Sequence, residues 1–80
     1  MLRDKATALD KERDINLSRQ ETQVLQLLAQ GLSNREIGQR LGITERTVKF
    51  HLSNTFTKLN VRNRVEASIV ARRMWPRLET

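Results

Sequence analysis

Two short amphipathic patterns, joined by a Gly-Ile-Thr corner, occupy residues 33–54 and constrain the fold more than any other stretch. In the first pattern Ile37 and Leu41 share one side of a helix, and in the second Val48 and Leu52 do the same. Each apolar side needs a partner to bury it, and the corner is too short to let the two helices separate. The stretch therefore predicts a helix-turn-helix.

Capping residues mark the helix boundaries along the rest of the chain. A Ser or Asn followed three residues later by Glu forms a capping box, which satisfies backbone N–H groups of the first turn. Three such patterns occur, Ser18–Glu21, Ser33–Glu36 and Asn63–Glu66. The expected stops are Gly31, Gly42 and Pro76. With Thr44 capping a third helix over about residues 45–59, and a fourth reaching about Trp75, the prediction is an all-α fold of four helices.

Charge is distributed unevenly along the chain of 80 residues, which has a formal net charge of +6. Residues 1–14 hold four basic and four acidic side chains, so the whole excess lies in residues 15–80. Such a concentration favours a polyanionic partner, of which nucleic acid is the commonest, although on charge alone a solubilising surface explains it equally well. We interpret residues 1–14 as a flexible linker or a frayed helix, and residues 76–80 as a tail.

Several classes of function are excluded by composition. The sequence has no cysteine and one histidine, so a metal site is not expected, and neither is a disulfide. His51 has no carboxylate or nucleophile at a spacing that would orient it for catalysis, and a domain this small has little room for a deep pocket. No enzyme activity, cofactor or membrane contact is expected, and the predicted localisation is cytoplasmic.

Polar side chains gather on one side of the predicted third helix. At 100° per residue, Val48 and Leu52 form an apolar stripe, and Phe50 lies about 200° from Val48, on the opposite side. Residues suited to phosphates or base edges surround this ring or lie at the borders of its face: Thr44, Arg46, Thr47, Lys49, His51, Ser53 and Asn54. An exposed phenylalanine forgoes the roughly 1.5–3 kcal/mol that burial supplies, so either a partner covers it or a local segment packs on it. A thymine methyl in a major groove would be such a partner.

A series of short motifs lies along residues 17–71. They are Leu17-Ser18-Arg19-Gln20-Glu21, Val24-Leu25, Ala29-Gln30-Gly31, Asn34-Arg35-Glu36-Ile37, Leu41-Gly42-Ile43, Thr47-Val48-Lys49-Phe50-His51, Lys58-Leu59-Asn60-Val61 and Arg64-Val65-Glu66-Ala67. Together they resemble the LuxR-type helix-turn-helix domain, the four-helix module of NarL/FixJ-type response regulators and quorum-sensing regulators. We therefore expect residues 15–75 to form a LuxR-type domain.

The resemblance implies a bacterial transcription regulator that binds double-stranded DNA with its third helix in the major groove. It places Lys49, Phe50 and Ser53 among the base-facing positions and Asn34 near a backbone phosphate. Ser53 departs from the basic or longer polar residue that many members carry there, so the base preferred at that position is left open. Lys58 completes the expected DNA-binding set.

The resemblance also implies a homodimer formed through the last helix, weak in the isolated domain. The expected contacts are Val65, Ser68, Ile69 and Arg72, whereas Val70 and Ala71 fit the core. An inward-packing Ile69 stripe is the alternative. Contact with RNA polymerase is left open as well.

Two other functions remain compatible with the pattern. One is a domain like region 4 of a sigma factor, and the other is a protein-interaction module that keeps the fold without binding DNA. The clustered positive charge argues against the second. Because most members carry a regulatory domain ahead of this module, we expect an excised domain rather than a free-standing one.

Overall fold

The computed structural model describes residues 16–76, so the predicted linker over residues 1–14, Ile15 and residues 77–80 of the predicted tail lie outside the described part. Four α-helices follow one another and no strand is present within residues 16–76. Their bounds are α1 (Arg19–Ala29), α2 (Asn34–Leu41), α3 (Glu45–Leu59) and α4 (Arg64–Met74). The predicted all-α class and the helix order are confirmed.

A single apolar core is built from one side of every helix. Helix α1 packs on both α3 and α4, and α2 packs on α3. The buried apolar residues are Val24, Leu25, Leu28, Ala29, Ile37, Val48, Leu52, Leu59, Ala67 and Ala71. Small side chains on α4 let it lie close to α1, whereas α3 contributes larger ones. This packing leaves the opposite side of α3 facing solvent.

The first two capping boxes are complete on both sides. Ser18 Oγ accepts from the Glu21 amide at 3.0 Å, and Glu21 Oε1 accepts from the Ser18 amide at 2.8 Å. At Ser33 and Glu36 the equivalent distances are 3.1 and 2.8 Å. These boxes fix the starts of α1 and α2 at the positions that the sequence predicts.

The start of α4 differs from a complete box. Asn63 Oδ1 accepts from the Glu66 amide at 2.9 Å, as a cap does, but Glu66 Oε1 accepts from the amide of Arg62 at 2.7 Å. The glutamate therefore braces the residue before the N-cap. At its other end α4 stops at Met74, close to the end near Trp75 that the sequence predicts from Pro76.

The turn between α2 and α3 depends on two glycines. Gly42 ends α2 in the left-handed conformation, with φ of 72°. Gly38 lies against the turn itself, and a Cβ on it would come within 2.7 Å of the Ile43 carbonyl oxygen. The absence of that carbon is what lets the backbone of α2 approach the start of α3, which sets how α3 is presented.

Candidate nucleic-acid interface

The N-terminus of α3 begins with two threonine hydroxyls held together. Thr44 Oγ1 accepts from the Thr47 amide at 3.0 Å and lies 2.9 Å from Thr47 Oγ1. Thr44 is exposed and Thr47 is half-buried. The cap thus orders the first turn of α3. Thr44 lies exposed at the helix N-terminus, where the backbone N–H groups favour anions.

Phe50 is the exposed aromatic ring of α3, with 62% of its surface accessible. Its ring meets His51 edge-on, at a centroid distance of 5.6 Å and an interplanar angle of 63°. His51 itself is half-buried. Because His51 is the next residue in the same helix, this contact leaves most of the ring exposed. Within the described residues no other segment of the chain covers it.

Basic and polar side chains flank this ring. Arg46, Lys49 and Ser53 are exposed, and Asn54 is half-buried. Within residues 16–76 no ion pair is recorded for Arg46 or for Lys49. We call Thr44, Arg46, Thr47, Lys49, Phe50, Ser53 and Asn54 the polar face of α3.

Asn34 borders the polar face from α2. An open groove of about 310 Å³ separates it from α3 and is lined by Asn34, Lys49, Leu52, Ser53, Phe56 and Arg64. Arg64 Nη1 donates to Asn34 Oδ1 at 2.7 Å, and its Nη2 donates to the Leu32 carbonyl. Helix α4 thus reaches the edge of the α3 surface through one guanidinium.

An apolar stripe on α4 faces away from the core. Val65 is 69% exposed and Ile69 is 51% exposed, with Arg72 exposed and Ser68 half-buried beside them. Ala71 is buried, and Val70 packs partly against the core, as the sequence predicts. The alternative in which the Ile69 stripe packs inward does not describe this chain.

Comparison with known proteins gives the identity of this architecture. The profile described as "Bacterial regulatory proteins, luxR family" matches residues 15–71. The chain belongs to the luxR family. This is a family of DNA-binding transcription regulators, not of enzymes.

Named relatives agree with this assignment. The chain is similar to the nitrate/nitrite response regulator protein NarL of Escherichia coli (strain K12), at 44% identity over 81% of this chain and 31% of NarL. It is 54% identical to NarP of the same organism, over 68% of this chain and 25% of NarP. With DegU of Brevibacillus brevis it shares 51% identity, over 66% of this chain and 22% of DegU. The chain thus spans about a third or less of the length of these relatives, and no solved structure matches it significantly.

Lys58, one of the expected DNA-binding residues, makes a tertiary contact in this luxR-family domain. Its Nζ donates to Glu21 Oε1 at 2.8 Å and to the Asn16 carbonyl at 3.2 Å. It therefore stands on the α1 side of α3, away from Phe50. Helical angle gives a signal for this, because at 100° per residue Lys58 lies about 80° from Phe50 and close to His51.

Glu21 is the buried partner that makes the Lys58 contact consequential. Burial raises the pKa of this carboxyl, but the hydrogen bonds from Lys58 and from the Ser18 amide outweigh it, so the pKa lies below the ordinary 4.5. Its side chain is 6% exposed. The carboxylate thus serves the α1 capping box and the α1–α3 contact together.

The structure places the other predicted residues of the luxR-family domain in two groups. The α3 set apart from the half-buried His51 shares one solvent-facing surface with Asn34 at its edge, and Val65, Ser68, Ile69 and Arg72 lie on α4. Arg64 is absent from the predicted set. Its basic side chain in the first turn of α4 was the available signal, but its target lies 30 residues away in sequence.

Two further properties concern the described part alone. Within residues 16–76 no three His, Cys, Asp or Glu side chains come close enough to hold a metal ion. None of the four helices is both long and apolar enough to cross a membrane.

Proposed function

We propose that this luxR-family domain binds double-stranded DNA sequence-specifically, with the polar face of α3 in the major groove. The observation that carries the proposal is Phe50, exposed at the centre of a surface that also holds the exposed cations Arg46 and Lys49. An apolar ring between cations matches a major groove, where base methyl groups lie between phosphate strands. Because its partner is the bacterial chromosome, the domain acts in the cytoplasm as part of a transcription regulator.

Each flanking side chain has a chemical role in this proposal. Arg46 and Lys49 pair with phosphates or with the O6 and N7 acceptors of guanine, and Phe50 covers a thymine methyl. The exposed Thr44 hydroxyl at the helix N-terminus suits a phosphate. Asn54 and Ser53 offer further hydrogen bonds, and His51 supports the Phe50 ring from the side.

The experiment that tests base reading uses Phe50. Sites selected from random duplexes are compared with scrambled DNA by fluorescence anisotropy, using the wild-type chain, Phe50→Ala and Phe50→Leu. Phe50→Ala should weaken the selected site by about 5–150-fold, as one specific base contact does, and change scrambled DNA far less. Phe50→Leu, which keeps an apolar side chain, should lose less. Equal losses on both DNAs would show that the ring supports the fold rather than reads bases, and the absence of any selected site would overturn sequence-specific binding.

We also propose that two copies associate through the α4 stripe on DNA. Val65 and Ile69 are the large apolar side chains that α4 exposes, and the stripe is short enough to make only a weak dimer in free solution. Half-sites about one helical turn apart, ~10 base pairs, are then expected.

The dimer test separates association from DNA contact. Ile69→Glu should abolish cooperative binding to a two-half-site duplex while leaving affinity for a single half-site unchanged, because residue 69 lies outside the polar face of α3. Retained cooperativity with a normal Tm would show that another surface joins the two copies.

A further inference from the structure

Arg64 joins the first turn of α4 to the turn before α2 with a two-pronged contact. One guanidinium nitrogen donates to Asn34 Oδ1 at 2.7 Å and the other donates to the Leu32 carbonyl. Arg64 is half-buried, and two bonds from one planar group fix its direction. The contact spans 30 and 32 residues of sequence, so it exists only in the folded domain.

This contact determines which chemistry Asn34 presents. A carboxamide has one acceptor end and one donor end, and the network around it decides which way it points. Arg64 occupies Oδ1, while within the described residues no acceptor is bonded to Nδ2. The part of Asn34 left for a ligand is therefore its NH₂ group, a donor.

The groove beside Asn34 has the character of an anion site. Its polar lining consists of two cations, Lys49 and Arg64, with the Ser53 hydroxyl and the Asn34 amide. Among the residues that the structure describes no carboxylate lines it, and Leu52 and Phe56 supply the apolar part. It opens beside the polar face of α3, so DNA lying on that face would bring its backbone to the groove.

We propose that Arg64 is a positioning residue, which holds the carbonyl end of Asn34 so that its NH₂ group, with Lys49, binds one backbone phosphate in this groove. The inference rests on the proposed DNA binding and adds a specific role for α4. The helix proposed to join two copies would thereby also orient a phosphate contact, so the two surfaces share one rigid element.

The decisive variant is Asn34→Asp, which keeps the shape of the side chain. A carboxylate still accepts from Arg64, and negative charge in the first turn of a helix is favourable, so Tm should be unchanged or higher. The new side chain has no donor and repels phosphate. We expect affinity to fall about tenfold or more, as expected for loss of a charged hydrogen bond, on selected and scrambled DNA alike. The slope of log affinity against log salt should also become shallower by about 0.9.

A double-mutant cycle tests the positioning role itself. Arg64→Lys keeps the positive charge but loses the planar fork whose two nitrogens direct the two bonds, and Asn34→Ala removes the oriented amide. If Arg64 acts through Asn34, Arg64→Lys should weaken DNA binding in the wild-type background and have little further effect beside Asn34→Ala. A direct phosphate contact by Arg64 would instead give additive losses and overturn the positioning role.

The controls separate this inference from the proposed function. A wild-type chain that bound neither selected nor scrambled DNA would defeat the proposed function. Normal wild-type binding together with an unchanged affinity for Asn34→Asp would defeat the phosphate site alone. Thermal unfolding of each variant shows whether a loss of affinity follows from a loss of fold.

Discussion

The two sides of α3 treat the same residue type in opposite ways. Lys58 lies on the side toward α1, where it pairs with the buried Glu21 and with the Asn16 carbonyl. Lys49 lies about two and a half turns earlier, on the other side. It is exposed and takes part in no ion pair within the described residues. One lysine is part of the tertiary structure, and the other is left for a ligand.

The difference shows that a cation on α3 can belong to the tertiary structure rather than to a ligand-binding surface. Without Lys58, the buried Glu21 carboxylate would have no cation beside it, and an uncompensated buried charge is costly. Within residues 16–76 no carboxylate is recorded in an ion pair with Lys49. The positive charge of Lys58 on the α1 side of α3 is therefore neutralised, whereas that of Lys49 remains on the polar face.

The largest effect should come from cutting into the apolar side of α3. Leu52 is 5% exposed within the core, and Leu52→Ala should lower the free energy of unfolding by about 2–5 kcal/mol. Phe50→Ala, two residues along on the other side, should change it by about 0.5 kcal/mol or less. Urea denaturation followed by circular dichroism measures both.

A stability loss for Phe50→Ala comparable to that of Leu52→Ala would contradict the distinction between the two sides. It would mean that the ring packs on part of the fold in solution. The loss for Leu52→Ala is large for a domain of this size, so it should be measured at low temperature.

The next largest effect should come from replacing Lys58, with Lys49 as the comparison. Lys58→Met keeps the aliphatic stem but leaves the Glu21 carboxylate without its cation. Because the Lys58 side chain is 42% exposed, water compensates in part, and we expect a loss of about 1–3 kcal/mol of stability, below that for a fully buried pair.

Lys49→Met is the matched control for this prediction, with the same substitution on the opposite side of α3. It should leave the free energy of unfolding almost unchanged, and it should make the salt dependence of DNA affinity shallower by about 0.9 in slope. If both variants lost DNA affinity without losing stability, Lys58 would be a DNA contact as well, and the separation of the two sides would be wrong.

Local sequence signals were sufficient for the fold. Both serine capping boxes, Gly42 and Thr44 act on backbone groups only a few residues away. The pattern alone therefore predicts where α1, α2 and α3 begin and where α2 ends. The buried stripe of α3 follows from helical periodicity. The exposure of the Phe50 side chain could be predicted for the same reason, since it depends only on the angle around one helix.

Contacts between distant residues could not be predicted in this way. Glu21 and Lys58 are 37 residues apart, and Asn34 and Arg64 are 30 apart, so each pair meets only after the helices pack. Thr55 is a further example, a fully buried threonine whose hydroxyl donates to the His51 carbonyl at 2.7 Å within its own helix. That bond satisfies the hydroxyl and lets a polar residue replace an apolar one in the core.

The smallest predicted effect is a pH dependence that separates the two glutamates of the serine capping boxes. The pKa of Glu21 lies below 4.5 in the fold although burial raises it, because Lys58 and Ser18 hydrogen-bond to the carboxylate. A carboxyl whose pKa is lowered by folding stabilises the protein fully above its unfolded pKa, and the contribution disappears as pH falls through the folded value. The pKa of Glu36 is also lowered, by the backbone and side chain of Ser33, but that carboxylate is exposed and makes no recorded lysine contact within residues 16–76.

Glu21→Gln keeps a hydrogen-bond acceptor for both Ser18 and Lys58 and removes only the charge. At pH 6–7 it should cost about 1 kcal/mol, the difference between a charged and a neutral hydrogen bond. The gap from wild type should shrink as pH falls below 4.5 and through the lowered pKa of Glu21, since the wild-type carboxyl becomes protonated over that range. Glu36→Gln should give a smaller gap that closes over the same range. If the Glu21→Gln gap stayed constant between pH 7 and pH 3 in thermal unfolding, the Lys58 contact would not be ionic, and the contrast between the two sides of α3 would lose its electrostatic basis.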